Sequence, residues 1–136
     1  MRRFLMMRVG ECYRFVLLSD KGRALATSAL YATVDACKKG ICSLALYAPT
    51  APLTDVTEGA RGGNPKIEIT ERDGAFFYAV KSRNGKSVLC SAPHKTRKAC
   101  LRAVSMLREG VKGARVCLAT PQGELPLTVG NLPTVP

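Results

Sequence analysis

Histidine occurs once in this chain, at His94, and ten acidic residues stand against 21 lysines and arginines. A lone imidazole leaves one candidate for a Cys–His pair and no local His/Cys pairing of the kind zinc sites use. The carboxylates fall in no arrangement suited to metal or glycosidic chemistry. No run approaches 18 uninterrupted apolar residues, so no membrane span is expected. Neither GxxxxGK[ST] nor GxGxxG occurs; the glycines of 59–63 precede no helix and read as linker. CxxC is missing as well, although there are six cysteines, at positions 12, 37, 42, 90, 100 and 117. Met1-Arg2-Arg3 followed by Phe4-Leu5-Met6-Met7 imitates a secretory leader, but Arg8, Glu11 and Arg14 cut the apolar run short. The expectation is a cytoplasmic protein with mainly free thiols, and no metal or cofactor.

What is present is a duplication. Laying position i over i+63 gives ten identities without a gap, among them Ser28/Ser91, Thr33/Thr96, Cys37/Cys100 and Leu44/Leu107. Conservative pairs such as Phe15/Tyr78, Arg23/Lys86 and Leu25/Val88 lie between them. A half of this length is marginal by itself, because a chain of about 60 residues buries only roughly 60% of its unfolded surface. Two copies can share a sheet and a core that neither completes alone.

Each copy reads β-β-β-α-β. Ile67 and Ile69 alternate with Glu68 and Thr70 ahead of an Arg72-Asp73-Gly74 turn; Phe4 to Met7 is the weaker equivalent. Tyr13, Phe15 and Leu17 share one face of the next strand, as do Phe76, Tyr78 and Val80. Hairpin turns follow at Asp20-Lys21-Gly22 and Arg83-Asn84-Gly85, leading to strands at 24–28 and 87–91. Thr33 and Thr96 are placed to cap helices whose stripes are Cys37, Ile41, Leu44 and Cys100, Val104, Leu107. The fold class is therefore α+β: two tandem β(3)-α-β units share one largely antiparallel sheet, with helices on one face. The first unit spans 1–58, a Gly/Pro linker 59–65, the second unit 66–120, and a Pro-rich, loosely packed tail 121–136, in which Pro126 makes 125–129 only a weak candidate for an edge strand.

The aromatic strands around Tyr13-Arg14-Phe15 and Phe76-Phe77-Tyr78, the Asn84-Gly85 turn, the Ser28 and Ser91 strand exits and the threonine-started helices resemble the YegP-like family of small bacterial proteins of unknown function. The resemblance covers about residues 4–120. It implies a single sheet in which the last strand of each unit is exchanged onto the other's side. The chain departs from the family pattern near the helices, at Ala36-Cys37-Lys38-Lys39 and Lys98-Ala99-Cys100-Leu101.

The net charge of +11 divides as +4 over residues 1–63 and +7 over 64–136. Lys95, Arg97, Lys98 and Arg102 surround the second helix start, and Lys81, Arg83 and Lys86 the second hairpin. An anion at a helix N-terminus meets free N–H groups as well as such side chains, which makes these seven residues the candidate ligand-binding patch. The leading functional reading is a non-enzymatic structural or interaction protein. Weak, sequence-nonspecific binding of nucleic acid, another polyanion or an acidic protein is the alternative, and an enzyme built on Cys90 and His94 is a third. Val16, Leu18, Phe77 and Ala79, on the face opposite the helices, are a candidate homodimer surface.

Overall fold

Period-two alternation and paired turn residues build the strands. A computed structural model describes residues 2–111 and 113–127. The first unit comprises β1 (Arg3–Val9), β2 (Cys12–Leu18), β3 (Ala24–Ser28), α1 (Val34–Tyr47) and β4 (Leu53–Asp55). The second comprises β5 (Lys66–Arg72), β6 (Ala75–Lys81), β7 (Ser87–Ser91), α2 (Arg97–Gly110) and β8 (Arg115–Thr120), with β9 (Gly123–Leu127) following.

All nine strands form one sheet in the order β4-β5-β6-β7-β3-β2-β1-β8-β9. The two halves meet antiparallel at β3–β7, with Thr27 opposite Cys90. The exchange is visible in the register: β4 runs parallel to β5, with Leu53 opposite Ile67, and β8 runs parallel to β1, with Arg3 opposite Arg115. Each unit thus hands its last strand to the first strand of the other.

Both helices lie on one face. Thr33 Oγ1 accepts from Ala36 N at 3.1 Å and Thr96 Oγ1 from Ala99 N at 3.0 Å, so both caps act as the sequence implies. The stripes Cys37-Ile41-Leu44 and Cys100-Val104-Leu107 are buried against Phe4, Met6, Phe15, Leu17, Ile67 and Ile69. Burial of each such aliphatic side chain is worth about 1.5–3 kcal/mol. A register shift falls at Leu17/Leu18 in one hairpin and at Val80/Lys81 in the other, the same place in each copy. Beyond the second shift, consecutive Val88 and Leu89 are both buried, which strict alternation forbids.

Two expectations need correction. Part of the segment read as a loose tail is β9, paired with β8 from Val116↔Leu127 to Thr120↔Gly123; positions 128 onward lie outside the described residues. Pro126 is tolerated because β9 is an edge strand, where a missing N–H need not break a ladder. The strand is also tied by a two-pronged pair, Arg3 Nε to Glu124 Oε1 at 2.8 Å and Nη2 to Oε2 at 3.0 Å. Secondly, the open face of the sheet does not present the expected apolar patch. Val16 and Leu18 are only 8% and 7% exposed, and the Arg72 guanidinium lies 4.5 Å over the Phe77 ring.

Buried serines explain the strand exits. Ser28 Oγ accepts from Phe15 N and donates to Ala29 O; Ser91 Oγ accepts from Tyr78 N and donates to Ala92 O. Each hydroxyl stands in for the backbone partner lost where β3 or β7 leaves its neighbour. Ser91→Ala strands the Tyr78 amide in the core and is expected to cost about 1–3 kcal/mol. Chemical denaturation checks this, with the exposed Lys95→Ala as a near-neutral control.

Candidate anion-binding clefts

Duplication builds two equivalent clefts, each between the helix of one unit and the second hairpin of the other. The first lies between α1 and the β6–β7 turn, has a volume of about 440 Å³, and is lined by Tyr31, Lys39, Ser43, Tyr47, Arg83 and Lys86 among others. The second, about 360 Å³, lies between α2 and the β2–β3 turn and takes in Lys21, Arg23, Leu25, His94 and Met106. Lys86 and Arg23, Tyr31 and His94, and Ser43 and Met106 are repeat partners. Three cations and no acid line each cleft: Lys39, Arg83 and Lys86 in the first, Arg2, Lys21 and Arg23 in the second.

Its floor depends on a missing side chain. Tyr31 is bridged to β2 by reciprocal backbone bonds with Tyr13, and its ring stacks on Phe15 at 6.2 Å and 19°. A Cβ at position 40 would lie 2.3 Å from the Tyr31 hydroxyl, so glycine in α1 is what admits the phenol. The second copy solves the same problem with a shorter ring and a methyl group, His94 and Ala103, with His94 stacked on Tyr78 at 6.2 Å. Burial pushes the Tyr31 hydroxyl pKa up, which keeps it a neutral donor at ordinary pH. The Lys86 ammonium lies 5.2 Å from the centroid of the Tyr31 ring.

The seven cations named from sequence do not act together. Arg83 and Lys86 share the first cleft, joined by Lys39, which the sequence reading missed. Lys81 donates to Ser87 Oγ at 2.7 Å. Lys95, Lys98 and Arg102 are exposed around the start of α2 and line neither cleft. Arg97 is committed elsewhere: it pairs with Asp55 at the end of exchanged β4 and with Glu58 at 3.1 Å. A cation in the first helical turn opposes the helix dipole, and the Asp55 carboxylate offsets that cost while fastening β4 to α2. The contributions of Lys39, Tyr31 and Gly40 were hidden because they come from the other copy. A signal for them exists in the paired differences Tyr31/His94 and Gly40/Ala103 at otherwise repeated positions.

The Cys90–His94 arrangement is not assembled. Cys90 is exposed and pairs in register with Thr27 and Ala79 on the open face, whereas His94 packs on Tyr78 beside α2 on the helix face. Cys37 and Cys100 are fully buried, and burial raises both thiols to about 11, so they remain protonated packing groups. Among the described residues, no group of three or more His, Cys, Asp or Glu side chains is placed to hold a metal, and no helix is long and apolar enough to cross a membrane.

Burial disfavours the Asp55 carboxylate, but hydrogen bonds from Thr57 and Arg97, together with the Arg97 charge, outweigh it and lower its pKa. A lowered carboxyl pKa stabilises the fold above the unfolded value, near 3.9, and that stability is lost as pH falls through the folded value. Asp55→Asn should therefore cost about 1–3 kcal/mol at neutral pH. Its denaturation midpoint should converge on that of the parent chain in acid; a pH series of urea unfolding measures both.

The model of a domain of unknown function (DUF1508) matches residues 10–55, which run from the β1–β2 turn to the end of β4. No curated protein sequence matches the chain. The solution structure of yegP, a protein of unknown function from E. coli, superposes with a TM-score of 0.70 at 20% identity, covering 88% of this chain and 94% of that one. A UPF0339 protein from Shewanella oneidensis also gives 0.70, at 16% identity, covering 88% and 92%. With the exchanged β(3)-α-β units already described, these likenesses make the chain YegP-like in fold, with the DUF1508 segment lying in its first unit.

Proposed function

We propose that the protein is a non-enzymatic, cytoplasmic binding protein whose partner is anionic, with single-stranded nucleic acid as the leading candidate. The observation that carries this reading is the first cleft, where Lys39, Arg83 and Lys86 converge from both units with no acid among the lining residues. Lys95, Lys98 and Arg102 are exposed at the start of α2, apart from this cleft, and the net charge of +11 adds long-range attraction. Cys37, Cys100 and Cys117 are buried thiols, which suits a reducing compartment. Association with a second copy through the open face is the weaker reading, since Val16 and Leu18 are almost fully covered.

Titration against RNA, duplex DNA and a non-nucleic polyanion across a salt series tests the proposal. Backbone recognition of a single strand predicts that log K falls with log salt by about 0.7 per phosphate neutralised. Arg83→Gln with Lys86→Gln should flatten that slope by roughly one to two phosphate equivalents. No saturable binding at low salt overturns the proposal, and equal affinity for the non-nucleic polyanion reduces it to charge alone.

A further inference from the structure

We propose that the first cleft is a nucleotide-sized site, taking one planar base against Tyr31 and one phosphate on the cations at its rim. This deepens the anion-binding reading and rests on it for the role of Arg83 and Lys86, but adds a ring-binding platform that simple charge attraction does not require.

Three observations carry it. The Tyr31 ring is backed by Phe15 on one side and has the Lys86 ammonium near its ring, and Lys86 lines the cleft together with Tyr31. An aromatic ring held from behind is a preorganised stacking surface, because its orientation is already fixed before a ligand arrives. An incoming base takes the place of the ammonium, and the freed Lys86 turns to the phosphate that enters with it; a modest cation–π contact is exchanged for stacking plus a charge-assisted hydrogen bond. The second observation is size: about 440 Å³ lies within the range of small-molecule pockets and accommodates a mononucleotide. The third is composition. Tyr47 supplies a further aromatic wall and Ser43 a hydroxyl, while Lys39 and Arg83 bring the cations at the mouth to three.

The duplicate cleft serves as an internal contrast. It is equally cationic, through Arg2, Lys21 and Arg23, but it holds His94 in place of Tyr31 and Met106 in place of Ser43. Gly40, which leaves room for the phenol, occurs in the first copy alone, since its partner is Ala103. The nucleotide site is thus assigned to one cleft, with one ligand per chain.

The test uses the full chain with adenosine monophosphate, adenosine, inorganic phosphate and a short oligoadenylate, followed by calorimetry and by NMR of the tyrosine ring protons. The expected result is one monophosphate per chain, at least about tenfold tighter than either adenosine or inorganic phosphate, with an upfield shift of the Tyr31 ring signals. Arg83→Gln and Lys86→Met should each weaken the monophosphate about fivefold or more, whereas Lys95→Gln should leave it unchanged. Tyr31→His combined with Gly40→Ala installs the pair that the second copy already folds with, and should weaken the monophosphate about fivefold or more while preserving the fold. Oligoadenylate that competes with the monophosphate supports the site and makes the natural ligand a strand; failure to compete supports a free nucleotide and removes the nucleic-acid reading. Monophosphate binding no tighter than phosphate, or unaffected by Arg83→Gln and Lys86→Met, overturns the inference, even where the polyanion titration shows salt-dependent binding.

Discussion

Strand exchange is the constraint on which the rest of this molecule depends. β4 completes the sheet edge beside β5 and β8 completes it beside β1, so neither unit closes its own sheet. The exchange positions each helix over its own strands while bringing it against the other unit's second hairpin, and the clefts exist because of that crossing. It also explains why the Arg97–Asp55 pair has a cross-unit role. The equivalent positions in the other half are Val34 and Leu118, both half-buried against the core. A charge pair fastens the strand to the helix at one end of the sheet, while the two matching positions at the other end carry apolar side chains against the core.

Much of this was legible in the sequence because it is local or repeated. The Thr33 and Thr96 caps, the Cys37-Ile41-Leu44 stripe and the turn glycines announce themselves within a few residues, and repetition at an offset of 63 residues removes the ambiguity left by either copy alone. What was hidden is long-range. β9 looked like a weak strand because Pro126 argues against a strand wherever the strand is internal, and its partner Arg3 lies 121 residues away. The apolar residues Val16 and Leu18 were assigned to the correct face, but alternation gives the side on which a residue lies and not how far its neighbours cover it.

The candidate site was half legible. Arg83 and Lys86 were recognised as a cationic hairpin, yet grouping them with Arg97 followed charge density along the chain, and the structure sorts those residues by the elements they oppose. Arg97 is occupied by the carboxylate of an exchanged strand, which no spacing within its own unit reveals. Tyr31 and Gly40 carry chemistry through their departure from the repeat. In a duplicated fold the matching positions report on packing, and the mismatched ones show where the two copies have been put to separate use.

The pairing of β1 with β8 also has a consequence for synthesis. Arg3 waits for Arg115, so the outer edge of β1 has no partner within the chain until most of the polypeptide has left the ribosome. At ordinary elongation rates that interval is on the order of 5–20 s. During it a nascent first unit carries an open strand edge flanked by Phe4 and Met6, residues that end in the core. β8 therefore closes the edge of the N-terminal half as a covalently attached, late-arriving partner.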